Sequence, residues 1–244
     1  MKRTHLSIAL LLILGLLLTG CTRPINRTAE SRIREVLPDI VGQAKSYEVR
    51  IDNAWERTLQ GKLTRVDIEG TEVHFRNGLI LDNLSLVLQG VVIDVGSRKL
   101  RKIRETDFSI TIGEKNLNEY LVDEVIDGET LRKIRVLLQD NRVTVKGERV
   151  VLGVGVPFEI SGNLLIKSAT ILELETSRLR VVGIPFSGKI LQFLKRRIEN
   201  AVDLSQISFP MVLNEVKVTP GKLTLSGKAN PMPLIEQSRP NTLW

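Results

Sequence analysis

Cysteine, histidine and aromatic residues are all scarce in this chain of 244 residues: one cysteine, two histidines, and Phe, Trp and Tyr together at 4%. A single cysteine forms no internal bridge, so stability has to come from packing, for which the length is ample. His74 is the one histidine beyond the first twenty residues, and it sits between Val73 and Phe75 in an alternating segment, pointing away from the face those two bury. Nothing around it suggests a Ser-His-Asp triad, and zinc and iron sites lose their usual ligands with it. So few aromatics cannot make a base-stacking platform. Asp123, Glu124 and Asp127 read as the solvated side of a helix, and Gly153-Val154-Gly155 as a strand bend, since no helix follows it as a phosphate loop would require. The expectation is a protein that is not an enzyme, with no cofactor, no metal and no nucleic-acid partner.

The first residues carry the strongest local signal. Lys2 and Arg3 precede an apolar run, Leu6 to Leu18, in which only Ser7 is polar. That is the layout of a secretory signal peptide, and it is shorter than the roughly 20 residues a spanning helix needs. Leu18-Thr19-Gly20-Cys21 follows, resembling the lipobox of bacterial lipoproteins, in which the cysteine thiolate takes a diacylglyceryl group before cleavage makes it the new N-terminus. The expectation is a lipoprotein signal peptide over 1–20, lipid attachment at Cys21, and a protein held on the extracytoplasmic side of a membrane, periplasmic or outer. Two acyl chains suffice for stable anchoring where one is marginal. Removing Lys2 and Arg3 from the formal charge of +7 leaves +5 on the mature chain. In a membrane-tethered protein that excess favours anionic lipid head groups.

Thr22 to Glu30 is polar and reads as a tether, residues 31–228 as one domain, and Ala229 to Trp244, with three prolines, as an irregular tail. Within the domain, alternation dominates. Phe108, Ile110 and Ile112 alternate with polar residues, as do Leu172 and Leu174, while Ile134, Val136 and Leu138 alternate with Lys133, Arg135 and Leu137. These are strands with one buried face. Asn77-Gly78, Asp140-Asn141 and Pro220-Gly221 mark antiparallel hairpins. Leu79 to Val95 and Val150 to Ile160 are apolar on both faces: Leu84, Leu86 and Leu88 on one side of the first, Val87 and Val91 on the other. Either protein covers both faces or something apolar outside the chain covers one.

Helical period appears at Glu114 to Ile126 and at Ser187 to Leu204, with shorter helices expected at Ser31 to Leu37 and Ala54 to Gln60. A closing hairpin is expected at Asn214 to Gly227. The class is α+β, with an antiparallel sheet that must curl around its helices to bury so much β surface.

Five stretches in order resemble the LmeA-like phospholipid-binding proteins, a family of exported or lipid-anchored bacterial proteins related in fold to the tubular lipid-binding superfamily. They are Arg32 to Leu37, Leu59 to Val66, Ile112 to Leu121 (IGEKNLNEYL), Val154 to Phe158 (VGVPF) and Ser208-Phe209-Pro210. The resemblance implies a long helix wrapped by a strongly curved antiparallel sheet, an apolar groove that takes acyl chains, and phospholipid binding at the cell envelope without catalysis. On that reading the acyl contacts are sought at Phe158, Phe186, Ile190, Phe193, Leu194 and Ile198, each of which could equally belong to a plain core. Head-group or membrane-surface contacts are sought at Lys195, Arg196 and Arg197, or at Arg98, Lys99, Arg101 and Lys102 with Arg104. Two other classes stay open: an envelope adaptor that docks an unknown protein partner without lipid, and a hydrolase built on His74 or a carboxylate pair.

Overall fold

The computed structural model describes residues 22–75, 78–96, 99–121, 131–151, 153–181 and 210–230. The chain opens with helix α1, Thr22–Ile40, which leads into strand β1, Gln43–Asp52. Ala29, Ile33, Leu37 and Ile40 recur at helical spacing, and all four pack on the core, with Leu37 buried. The segment expected to be a tether is helical from Thr22, a correction with a clear cause. Its polar side chains are used: Asn26 Nδ2 donates to the Asn53 carbonyl at 3.0 Å, and Asn26 Oδ1 accepts from the Thr58 hydroxyl at 2.9 Å. Glu30 Oε1 accepts the backbone N–H of Ile51 at 2.9 Å. Ile51 lies on β1, the outer strand of its sheet, so a carboxylate stands where another strand's carbonyl would otherwise bind.

A short helix α2, Trp55–Leu59, precedes β2, Lys62–His74, and β3, Ile80–Asp94. Then come β4, Lys99–Lys102, β5, Glu105–Gly113, and helix α3, Glu114–Tyr120. β6, Leu131–Gln139, β7, Arg142–Val151, β8, Val154–Ile166, and β9, Leu172–Val181, follow; β10, Met211–Thr219, and β11, Lys222–Ala229, close the described chain. All pairings are antiparallel, in two sheets: β1-β2-β3-β5-β11-β10 with β4 beside β3, and β6-β7-β8-β9. Strands predominate, helices are few, and neither sheet closes into a barrel among the described residues. The expected long helix at Ser187 to Leu204 lies outside the described residues.

Three expected hairpins are present. Thr219 pairs with Lys222 across Pro220-Gly221, where Gly221 has a φ of +75°, the sign glycine adopts without steric cost. Gln139 pairs with Arg142 across Asp140-Asn141, and β2 and β3 meet around Gly78. Gly153 sits in the β7–β8 corner, where Val151 pairs with Val154, so the Gly-Val-Gly segment is a turn entering a strand.

The two-faced pattern of Leu79 to Val95 has a local explanation. On β3 the buried positions run Leu79, Leu81, then Leu84 and Leu86, then Val91, so the parity changes twice. On β2 it changes at the same levels of the ladder: Leu63, then Val66 and Ile68, then Val73 and Phe75. Glu72 and Gly90, at the two levels of change, have φ of 49° and 63°. A Cβ added at Gly70 would come within 2.7 Å of Val73 Cγ2 and 2.8 Å of Tyr47 Cε1, so Val73 and Gly70 share a face despite their odd spacing. The strands turn about their own axes, and Val91 belongs to the same core as Leu84 rather than to a second, uncovered face.

The sheets are spliced through α3. Asn118 presents both an acceptor and a donor to one residue of β6: Oδ1 takes the Val136 N–H at 2.6 Å and Nδ2 donates to the Val136 carbonyl at 2.8 Å. Glu114 Oε2 accepts the Leu138 N–H at 2.8 Å. Asn116 Nδ2 ties α3 back to Asp82 on β3 at 2.6 Å. Beyond the helix, Gly221 N–H donates to the Leu138 carbonyl and Asn141 N–H to that of Val218. One hydrophobic cluster runs through both sheets, from Leu37 and Val49 to Phe158, Ile160, Leu172 and Leu225.

Replacing Asn118 with alanine removes three hydrogen bonds, the two to Val136 and one from Nδ2 to the Glu114 carbonyl at 2.7 Å, worth about 1 kcal/mol each, and is expected to lower stability by about 3 kcal/mol. The check is a lower urea midpoint at unchanged slope, against a change within about 0.5 kcal/mol for Lys115→Ala on the solvent side. Tyr47 supplies a second test. Its hydroxyl donates to the Gly42 carbonyl at 2.8 Å, and burial pushes its pKa up to about 12. The unfolded phenol ionises near 10, so the folded state holds the proton more tightly and Tyr47 erodes stability as pH rises from about 10 to about 12. Tyr47→Phe should flatten that part of the urea-midpoint profile.

Candidate functional site

The two sides of the larger sheet differ in kind. Following the register across β1, β2, β3, β5, β11 and β10, one inner row reads Val49, Ile68, Leu86, Phe108, Gly227, Leu213, and the next Tyr47, Gly70, Leu84, Ile110, Leu225, Val216. These rows present carbon almost exclusively, and Leu84 and Leu225 are at 0% exposure. The outer rows are polar. Arg65 binds Asp67 at 2.8 Å, Ser85 donates to Glu69 at 2.7 Å, and Lys228 bridges Glu105 and Asp107. Hydrogen bonding and attraction from Lys228 hold the Glu105 carboxyl below its ordinary range, and the same bond raises Lys228. Lys45 and Glu72 form a similar pair at 2.8 Å, with Glu72 lowered and Lys45 raised. Such exposed pairs add little stability. They make one side of the sheet hostile to hydrocarbon and leave the other as the only apolar side.

In the second sheet the inner side is built the same way, from Val136, Leu138, Val143, Val145, Phe158, Ile160, Leu172 and Leu174. Phe158 is 5% exposed and faces Gly147 across the ladder. A Cβ on Gly147 would lie 3.0 Å from the ring and 2.4 Å from Ile134 Cδ1, so glycine there makes room for the aromatic. Thr144 and Ser161, on the face of β7 and β8 opposite to Val145 and Ile160, are buried and satisfy each other at 3.0 Å.

Of the residues expected to contact acyl chains, Phe158 is thus on the inner apolar side, as part of the packed core. Phe186, Ile190, Phe193, Leu194 and Ile198 lie outside the described residues, as do Lys195, Arg196 and Arg197, Arg98, and Cys21 with residues 1–20. Lys99, Arg101 and Lys102 are on β4; Arg101 is exposed and ion-paired with Asp94, and Lys102 is exposed. Arg104, exposed, donates to Gln89 at 3.2 Å. His74 is exposed between buried Val73 and Phe75, as its place in the alternation required. Among the described residues no group of three His, Cys, Asp or Glu side chains could hold a metal, and no helix is long and apolar enough to cross a membrane.

Two features escaped the sequence reading. Trp55 and Leu59, four apart on α2, and Val95, after β3, are exposed large apolar side chains. Their signal was an apolar pair at helical spacing in a helix too short to show a pattern. The Glu114 to Leu121 motif was visible as a match, but its role as a splice depends on β6, which follows later in the chain.

Neither a curated protein nor a solved structure matches the chain. A family model does, over residues 21–228, and that span takes in every described strand but the final residue of the last, together with both apolar inner sides. The chain belongs to the LmeA-like phospholipid-binding family.

Proposed function

We propose that this protein is a lipoprotein, anchored by acyl chains on Cys21 at the extracytoplasmic side of a membrane, that binds one phospholipid and catalyses no reaction on it. The observation that carries this reading is the family match over nearly the whole mature chain, joined to an aliphatic inner side on both sheets. On this reading acyl chains lie against the inner rows, Phe158 among them, with Ile190, Phe193, Leu194 and Ile198 as the further contacts that the family resemblance implies. Hydrocarbon needs no polar partner, and these rows present it with little but carbon. The head group stays at the rim, where lysine and arginine meet its phosphate.

Two measurements test the reading. Mass spectrometry of an organic extract of the purified protein should show a phospholipid near equimolar with the chain. A lipid-free protein that also fails to take up labelled phospholipid would sink the binding, leaving the adaptor reading. Independently, Cys21→Ser should abolish incorporation of labelled palmitate; persistent labelling would overturn the anchor.

A further inference from the structure

We propose that α2 and Val95 just after β3, next to the start of α1, form a docking face that lays the domain against an anionic lipid surface. The inference rests on the reading that the protein works at a bilayer, and adds which end of the molecule touches it. α2 is amphipathic the wrong way round for a surface helix. Its polar Thr58 faces the protein, accepting from Asn53 Nδ2 at 2.9 Å and donating to Asn26 Oδ1 at 2.9 Å, while no residue of the helix is buried. Trp55 and Leu59 are 36% and 54% exposed. Val95, 56% exposed, adjoins them: Ile93 N–H donates to the Gly61 carbonyl at 2.7 Å, and a Cβ at Gly61 would lie 3.0 Å from Val95 Cγ2.

Cations surround this apolar trio. Arg57 projects from α2, and Lys62 and Lys102 flank Val92 in the ladder of β2, β3 and β4. All three are exposed and have no ion pair among the described residues. Glu56 is the exposed acid on α2, and Asp94 is neutralised by Arg101. Apolar side chains with an amphipathic Trp, ringed by unpaired cations, match the layers of an anionic bilayer surface. Chain continuity points the same way. Asn26 binds both Asn53 and Thr58, so the first turns of α1 adjoin α2, and Thr22 lies about one turn earlier, next to Cys21. Val154, at 66% the most exposed large apolar side chain among the described residues, is a poorer candidate, because it stands at a corner beside the Glu148 carboxylate.

The test uses the full chain, purified in detergent and reconstituted on vesicles, with Trp244→Phe leaving Trp55 as the only indole. On vesicles of phosphatidylethanolamine and phosphatidylglycerol, lipids brominated along the acyl chain should quench Trp55 emission at least twofold, and acrylamide quenching should fall. Lys62→Glu with Lys102→Glu should remove most of that quenching, at about fivefold in affinity per charge, and pure phosphatidylcholine should give little. Leu59→Ser with Val95→Ser should weaken it on both surfaces while leaving the urea midpoint unchanged. Trp55 that stays open to acrylamide and deaf to bromolipid overturns the proposal. Phospholipid extracted from the same samples separates the outcomes: lipid present with Trp55 in water removes the docking face alone, and lipid absent with Trp55 quenched removes the binding reading alone.

Discussion

The fold depends on Asn118. A strand at the edge of a sheet exposes N–H and C=O groups in alternation, and one amide side chain supplies the complement of both, so Asn118 serves Val136 as a neighbouring strand would. Glu114 repeats half of that service for Leu138. Through these contacts the four-stranded sheet is held to the helix that ends β5, and through it to the six-strand path of the larger sheet. The backbone bonds of Gly221 to Leu138 and of Asn141 to Val218 carry the same junction into the β10–β11 hairpin. With it, Val136, Leu138 and Phe158 join one cluster with Leu223 and Leu225.

Where period and environment agreed, the fold was legible in the sequence. β5 alternates Phe108, Ile110 and Ile112 with polar residues, and the three are 3%, 1% and 2% exposed. The corners at Asp140-Asn141 and Pro220-Gly221 carry their own backbone chemistry, so their hairpins were readable too. β3 was harder, because period-2 reading assumes that a strand keeps one side to the core. The changes near Glu72 and Gly90 arise from the coiling of neighbouring strands, which no single segment encodes. The start of α1 was misread for a related reason: Asn26 and Glu30 look like tether residues until Asn53 and Ile51, far along the chain, satisfy them.

The site was legible as a kind of surface more than as a set of residues. Aliphatic alternation announced an apolar interior, and Phe158 is part of it. A residue that lines a lipid and one that fills a core have the same composition, so sequence patterning alone does not separate them. The basic residues of β4 were visible as a charge run; their relation to Trp55 and Leu59 was not, since it arises from Gly61 meeting Ile93 across the sheet.

The carboxylate of Glu30 on the Ile51 N–H has a consequence for crowding. Copies of a protein meet often where they are crowded, and a long sheet with an open margin invites the same strand of the next copy to extend it. Helix α1 takes that place along β1, with a negative charge set against the outward amide. The opening helix therefore also guards against edge-to-edge polymerisation, which a disulfide-free β protein has no covalent means to resist.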